Sequence, residues 1–562
     1  MTLPFSRLTK IYEQLEVITS GNKIREILSN FFKKVPKTDI ASVAYLTLGV
    51  IEAEYKKTDL GLADKMIVRA LSKASNKSPE EIRELSRKTG DLGLVAEKII
   101  RKQGQLTVKK VIDTLRKIST TTGTGSQEAK LNLLVGILIT ASPKEAKYIV
   151  RIALRRLRLG IAAATILDSL AIAFKGVKDK TELEAAYEKT SDIGMIAKIA
   201  ASKKPIKVGV SVGIPIKMML AQRVKSLVEM QKHIPGKITA EEKYDGERMQ
   251  IHKSGEEIMI FSRRLENITH QYPDVLASLK KSIRAKECII EGEVVAVDKK
   301  GNLLPFQRLM QRRRKYKIQE YVKKIPVALF LFDLLYLNGK SHIKKPYPAR
   351  RNALKKIIKS SKITKFARQT TSADINQVQK FFKQCLHRGA EGIIAKSNSK
   401  DSIYKAGTRG WFWIKWKKEY AKGITDTFDL VVVGAFAGRG RRAGKYGALL
   451  CAVYNKQKDQ FETFTKLGAG FTDKTLAELP KILKRYKVTK KPARVVLKKE
   501  MKPDVLFNPN LVLEVLGAEI TKSPIHSSGF ALRFPRFIRF RNDKSPEQAT
   551  TKKEIIQMSK KK

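Results

Sequence analysis

Cysteine is all but missing from this chain. Cys288, Cys385 and Cys451 stand far apart in 562 residues, a spacing that excludes a disulfide framework and a thiolate zinc site. Histidine is equally scarce: the six present never fall at metal-ligand spacing, so any metal must be held by oxygen atoms. Long apolar runs are lacking too. Stretches such as Leu131 to Pro143 fall short of the roughly 18 residues that cross a bilayer. Met1-Thr2-Leu3-Pro4 opens no signal peptide, and the expectation is a cytoplasmic protein with no membrane partner. With only 19 Pro and 34 Gly the chain is neither collagen-like nor low in complexity. Negative charge is the greatest shortage. Against 113 Lys+Arg stand 54 Asp+Glu, a formal net charge of +59. A polyanionic partner relieves such self-repulsion, and nucleic acid is the commonest one.

What is present is enough apolar material, 42% of residues, for several cores, and the length suggests three or four domains. From residue 1 to 215 the pattern is helical, as in Ile24, Ile27, Leu28, Phe31 and Phe32, whose spacing marks one helix face. Ser142-Pro143-Lys144-Glu145 reads as a capped helix start. The apolar face that follows runs to Leu157 and leaves Arg151, Arg155, Arg156 and Arg158 outside, either solvated or set against a phosphate backbone. From 216 to 420 short β-type runs such as Ile258–Phe261, Val294–Val297 and Ala328–Leu331 indicate an α+β region. From 421 to 562, runs such as Leu430–Val433 and Leu449–Val453 between Gly-rich turns suit a small antiparallel barrel, and the Lys-rich tail from Lys552 is expected to fray.

The segment with most chemistry is Glu241-Glu242-Lys243-Tyr244-Asp245-Gly246-Glu247-Arg248. Further short charged motifs lie beside β-type runs: Ser262-Arg263-Arg264-Leu265-Glu266, Glu291-Gly292-Glu293, Phe332-Asp333, Glu391 to Lys396, and Trp413-Ile414-Lys415-Trp416-Lys417. Cations and carboxylates at strand edges are how a site for a Mg²⁺-bound nucleotide is assembled without a Gly-rich phosphate loop. No G-x-x-x-x-G-K-[ST] run is present, and Gly438 to Arg442 is a basic loop.

In these motifs, taken in order, the sequence resembles the ATP-dependent DNA ligases of the archaeal and eukaryotic replicative type, within the covalent nucleotidyltransferases. Matching segments also occur at Gly123 to Gln127, Tyr148 to Gly160, Gly434 to Gly447 and Leu532 to Phe537. The resemblance implies an all-α DNA-binding domain (1–215), an α+β nucleotidyltransferase (adenylation) domain (216–420) and an all-β OB-fold domain with a short basic tail (421–562). It implies ATP and Mg²⁺ as cofactors, nicked duplex DNA as partner, and a monomer that serves replication, repair and recombination. Lys243 would form a lysyl-AMP, pass AMP to a DNA 5′-phosphate, and lose it as a 3′-hydroxyl seals the nick. By the same resemblance Glu241 would accept from the adenine amine and Phe332 would stack on the base. Arg248 and Glu293 would serve the ribose or metal side. Arg263, Arg409, Lys415 and Lys417 would surround the phosphates, and Glu293 and Glu391 would hold Mg²⁺.

The pattern has departures. Trp416 stands between two motif lysines where a smaller aliphatic residue is usual, and Asn542 follows Arg541 where an acid is common. No Phe pair follows Gln103-Gly104-Gln105-Leu106, where archaeal relatives carry a sliding-clamp element, so clamp binding has no clear motif. Phe31 and Phe32 are better explained as helix core. An RNA ligase or capping-type nucleotidyltransferase shares the Lys-x-Asp-Gly chemistry, and a non-catalytic nucleic-acid-binding scaffold is the reading from another class. The long helical region and barrel motifs favour the DNA enzyme.

Overall fold

The computed structural model describes every residue except 1, 57, 103, 176–179, 203, 204, 207, 225, 313–317, 418–425, 439–441, 443, 444, 518, 561 and 562. By contact it divides into two compact units, residues 1–66 with 101–422 and residues 67–100 with 423–562.

Up to Ala201 the described residues form helices and no strand. Phe31 and Phe32 are buried on the helix Gly21–Phe32, so they are core. The capping box reads as expected: the Ser142 side chain accepts from Glu145 N–H at 3.4 Å, and Ser142 N–H donates to Glu145 Oε2 at 2.9 Å. The helix is shorter than its apolar spacing suggests. It runs Pro143–Ala153, because Arg155 and Arg158 take positive φ of 52° and 64°, which a helix cannot hold. Arg151 is not on an outer face. It is 5% exposed and forms an ion pair with Glu16, as Lys147 does at 3.1 Å.

The middle of the chain carries strands β1 (Leu220–Arg223), β2 (Ile238–Lys243), β3 (Glu247–Ser254), β4 (Glu257–Ser262), β5 (Glu287–Ala296), β6 (Val327–Leu337), β7 (Lys340–Ser341), β8 (Thr364–Phe366), β9 (Gln369–Ser372), β10 (Gly392–Ser397) and β11 (Arg409–Lys417). They build two sheets. One has the order β1-β11-β10-β2-β9; the other runs β4-β3-β5-β6-β7, with β8 on β6.

Alternation along each strand divides their residues between two faces. In β2 Ile238 and Ala240 join Ile393, Ala395, Ile414 and Trp416 under the helix Ile375–His387, in a core with Phe382 and Cys385. In β3, β5 and β6, Met249, Ile251, Ile290, Val294, Leu329 and Leu331 pack on the helix Pro273–Ser282. Phe330, Phe332, Ile289, Val295 and Trp413 share a third core with Tyr244, Met219 and Tyr404. That core draws on strands of both sheets, and the alternate positions of β2, β10 and β11 that avoid the helix are the motif residues Glu241, Lys243, Lys396, Lys415 and Lys417.

The segment entering β1 is tied to the second sheet. Gly213 N–H donates to His252 Nδ1 at 3.1 Å, Ile216 N–H donates to Gln250 Oε1 at 2.8 Å, and Gln250 Nε2 donates to Ile216 O at 3.1 Å.

The third region is β-rich. Strands β12 (Asp426–Ala437), β13 (Tyr446–Asn455) and β14 (Gln460–Leu467) are the antiparallel centre of an eight-stranded sheet that curls through bulges at Val432/Gly434 and Phe436/Ala437. Helices are present as well. Asp473–Lys484 places Leu476, Leu479 and Leu483 in the same core. The tail does not fray as expected: Lys552–Lys560 is a helix whose Ile555 is fully buried in that core, and Lys552 pairs with Glu462 at 2.6 Å.

Candidate active site

Two glycines fix the backbone around Lys243. At Gly246, in the turn between β2 and β3, a Cβ would lie 2.3 Å from Val294 O and 2.9 Å from Glu293 Cγ. At Gly392, with φ +149°, it would lie 2.2 Å from Trp416 O. Both strand contacts require the missing side chain. In register, Gly392 stands opposite both Lys243 on β2 and Lys417 on β11, so Glu391, one residue earlier, reaches both lysines. Lys243 Nζ forms an ion pair with Glu391 Oε2, and Lys417 Nζ meets the same oxygen at 2.7 Å. Burial pushes the Glu391 carboxyl up, but Lys243 and Lys417 outweigh burial and hold it at about 2.

Lys415 faces a purely cationic neighbourhood. Burial, and then Arg409, Lys417, Lys243 and Arg263, lower its pKa from the usual lysine value. Among the described residues none of Lys415, Arg409 and Arg263 has a carboxylate within ion-pair distance. A cluster of cations without counter-charge is a field suited to a polyphosphate.

Glu293 is half-buried on β5, opposite Arg248 in register. Burial raises its pKa to about 7, against the opposing pull of Lys243 and Arg248. No group of three or more His, Cys, Asp or Glu able to hold a metal occurs among the described residues. Glu293, which lacks an ion-pair partner among them, and Glu391 fit a Mg²⁺ ion of the kind held by one or two carboxylates plus substrate phosphates. A closed protein cage does not fit.

Arg248 and Glu293 do not pair. The guanidinium donates instead to Glu291 Oε2 at 2.7 Å and to Met219 O at 2.7 Å, 5.4 Å from the Phe332 ring and 5.3 Å from Trp413. Glu291 is fully buried and also accepts from the Tyr404 hydroxyl at 3.0 Å and from Gln250 Nε2 at 3.1 Å. Phe332 is buried with its ring centroid 6.2 Å from that of Trp413, edge to face. Glu241 is buried too, and Lys396 Nζ lies 2.7 Å from its Oε1.

Sequence reasoning missed Lys396, Tyr404 and Gln250. Lys396 closes a quoted motif, but its burial does not show in the sequence, and Tyr404 and Gln250 stand in no charged cluster. Asp333, read only as a motif partner of Phe332, is fully buried and forked by Arg350, with Nε–Oδ1 at 2.7 Å and Nη2–Oδ2 at 3.0 Å. The departures also resolve. Trp416 points away from the lysines and stacks on Phe382, ring centroids 4.0 Å apart. Beside Asn542, Asp543 supplies the acid, pairing with Arg541 at 2.7 Å.

Three family models match in order along the chain: DNA ligase N terminus over residues 4–171, ATP dependent DNA ligase domain over 218–417, and ATP dependent DNA ligase C terminal region over 442–544. DNA ligase 1 of Methanosarcina acetivorans is 45% identical, with 98% of each chain covered. The DNA ligases of Staphylothermus marinus and Hyperthermus butylicus are 45% and 46% identical, covering 99% and 100% of this chain and 99% and 98% of their own. The chain belongs to the ATP-dependent DNA ligases. A solved structure, "Pmar-Lig_PreS3", shares the fold at a TM-score of 0.57 and 18% identity, over 95% of this chain and 99% of that one.

The ligase seals nicks in DNA, using ATP and a divalent metal such as Mg²⁺. Relatives that match over its whole length are DNA ligases, which leaves the RNA-ligase, capping and scaffold readings without support. Among the described residues no helix is long and apolar enough to cross a membrane.

Proposed function

We propose that Lys243 is the residue adenylylated by ATP. The observation that carries this is its amine at the end of β2, touching Glu391 beside the uncompensated cations Lys415, Arg409 and Arg263. After the ammonium gives up a proton to solvent, the neutral amine attacks the α-phosphorus; a P–N bond forms as the bond to pyrophosphate breaks, and the second proton from nitrogen leaves to water. Lys415, Lys417, Arg263 and Arg409 neutralise phosphate charge as it develops. Glu293 and Glu391 would hold Mg²⁺, which when bound would supply Lewis-acid charge. Arg248, fixed by Glu291, serves the ribose side, and Phe332 and Glu241 receive the base. Labelling with α-labelled ATP tests the assignment: Lys243→Ala should form no acid-labile AMP adduct, and a folded variant that still forms one refutes it.

We also propose that the flanking regions hold the duplex, the helical part through Arg155, Arg156 and Arg158, and the β-rich part through the basic loop at 439–445, most of which lies outside the described residues. Arg151 is no longer a candidate, since it is buried against Glu16, whereas Arg156 keeps an exposed side chain beside Asp64. One copy acting in the cytoplasm is the expected working form, and the ligation rate per chain should not depend on enzyme concentration. Clamp binding has no support in the Gln103 segment, where Gln103 lies outside the described residues.

A further inference from the structure

The segment that leads from the helical region into β1 is held by the side chains of one strand face. Arg248, Gln250 and His252 alternate along β3 and so share a side of it, and each bonds the backbone of that segment. His252 Nδ1 accepts from Gly213 N–H at 3.1 Å. Gln250, fully buried, accepts from Ile216 N–H at 2.8 Å and donates to Ile216 O at 3.1 Å. Arg248 donates to Met219 O at 2.7 Å. Every second residue of the strand thus takes every third residue of the segment, and Gln250, braced by His252 Nε2 at 2.9 Å, is the middle rung.

The other edge of the same segment belongs to the helical region. Ser191 Oγ donates to Pro215 O at 2.9 Å, and Lys217 N–H donates to Glu188 O at 3.0 Å. Glu188 lies on the helix Lys180–Thr190, and Ser191 follows it. Ile216 therefore bonds β3 while its two neighbours bond the helix, which makes residues 213–219 a strap with one edge on each, inside a single compact unit. Arg248 joins this strap to the nucleotide site. Its Nε is buried without an acceptor among the described residues, and Glu291 receives both its Nη2 and Gln250 Nε2. A ligand group that engages Arg248 acts on Met219 O directly and on Gln250 through Glu291.

We propose that Gln250 is the positioning residue that couples the nucleotide site to duplex binding: it clamps the strap at Ile216, so that the grip of the helical region on nicked DNA depends on what Arg248 holds. The proposal rests on the reading that Arg248 serves the ribose side. A ribose oxygen gives Nε the acceptor it lacks, and relief of a buried unsatisfied donor is the difference in contacts that a shift between two states requires. The coupling is reciprocal, so ATP and duplex strengthen one another by one common factor.

The test uses the full-length protein in two forms, stripped of AMP with pyrophosphate or adenylylated, each titrated with nicked duplex in EDTA so that no transfer proceeds. The two Kd values should differ by about fivefold or more in the wild type and by less than about twofold in Gln250→Met, which keeps the length of the side chain and loses the amide. Ser191→Ala removes a bond on the helix edge, leaves the nucleotide site untouched, and should shrink the same ratio with the adenylylation rate unchanged. Thermal unfolding is recorded in parallel, and Ser191→Ala carries the test should Gln250→Met not fold. A merely structural glutamine would weaken both forms equally; a ratio preserved in folded Gln250→Met, or in Ser191→Ala where Gln250→Met does not fold, overturns the proposal, as does a wild-type ratio below about twofold. Arg248→Lys, which loses the planar fork, should raise KM for ATP, and an unchanged KM would instead overturn the reading of the ribose side.

Discussion

Adding one methyl group at Gly246 should cost the ligase most of its adenylylation rate while leaving it folded. The glycine sits three residues after Lys243, and its Cα faces the β5 backbone so closely that a Cβ would stand 2.3 Å from Val294 O. Ordinary contact begins near 3.4 Å, so the turn and β5 must separate by about 1 Å. Neither partner can give way cheaply. Val294 is fully buried in the core beneath β3 and β5, and its neighbour Glu293 would also meet the new methyl, at 2.9 Å. The displacement falls on the turn, and so on the end of β2 that carries Lys243. A misplacement of about 1 Å at a reacting centre costs on the order of a hundredfold in rate. Single-turnover labelling of Gly246→Ala at saturating ATP should therefore be slower by roughly that factor, with its far-ultraviolet spectrum unchanged. Labelling within about threefold of wild type would show that the turn does not position the lysine and refute the argument.

Four further outcomes are expected. Glu293→Gln should slow adenylylation by roughly a hundredfold or more, in line with loss of a preorganised charge contact, and a folded variant at wild-type rate would remove Glu293 from the site. Arg350→Met leaves Asp333 buried and unpaired, which should destabilise the protein by about 3 to 5 kcal/mol; chemical denaturation measures this, and a loss below about 1 kcal/mol would contradict it. Burial holds His252 at about 3, below its ordinary value of 6.5, so it is neutral when folded and takes a proton only on unfolding. Its contribution is complete above pH 6.5 and is lost as pH falls toward 3, about 2 kcal/mol between pH 6.5 and 5 at 1.36 kcal/mol per unit; His252→Asn should flatten that part of the stability profile, and an unchanged profile would exclude it. Affinity for nicked duplex should fall linearly in a log–log plot against salt, by about 0.9 per phosphate neutralised, and a flat plot would mean that the basic surface faces away from the DNA.

Short unbroken apolar runs made the strands readable. Ile258–Phe261 lies within β4, Val294–Val297 overlaps β5, and Ala328–Leu331 lies within β6, because apolar strand residues sandwiched between helix and sheet have no other way to be buried. Helix ends were less legible. Apolar spacing persists past Ala153 to Leu157, yet positive φ at Arg155 ends the helix, and a single backbone angle leaves no mark on hydrophobic period. The tail misled for a different reason. Its lysines suggested fraying, but Ile555, with Met558 packed beside it, anchors the short helix on the core, and such docking depends on the sheet it meets rather than on local composition.

The charged motifs could be found in sequence, but not their pairings. Two-residue spacing placed Lys415 and Lys417 on one side of β11 and so turned Trp416 onto Phe382, a consequence of strand period alone. Which cation meets which carboxylate depends on register, and register is set by glycines whose missing side chains let strands approach. Gly392 is opposite Lys243 and Lys417 at once, and this brings Glu391 to both lysines. The bulge between Glu291 and Gly292 in the pairing of β5 with β6 adjoins the carboxylate that takes Arg248, which is Glu291 and not its register partner Glu293. Burial then assigns the tasks. Glu291, saturated by Arg248, Tyr404 and Gln250, can only hold its neighbours in place, whereas Glu293, without an ion-pair partner among the described residues and raised to about 7, is the carboxylate with charge still to be satisfied. Two acids separated by one glycine thus part into a saturated scaffold and the carboxylate that the proposed reading gives to Mg²⁺, and that division follows from what each side chain touches.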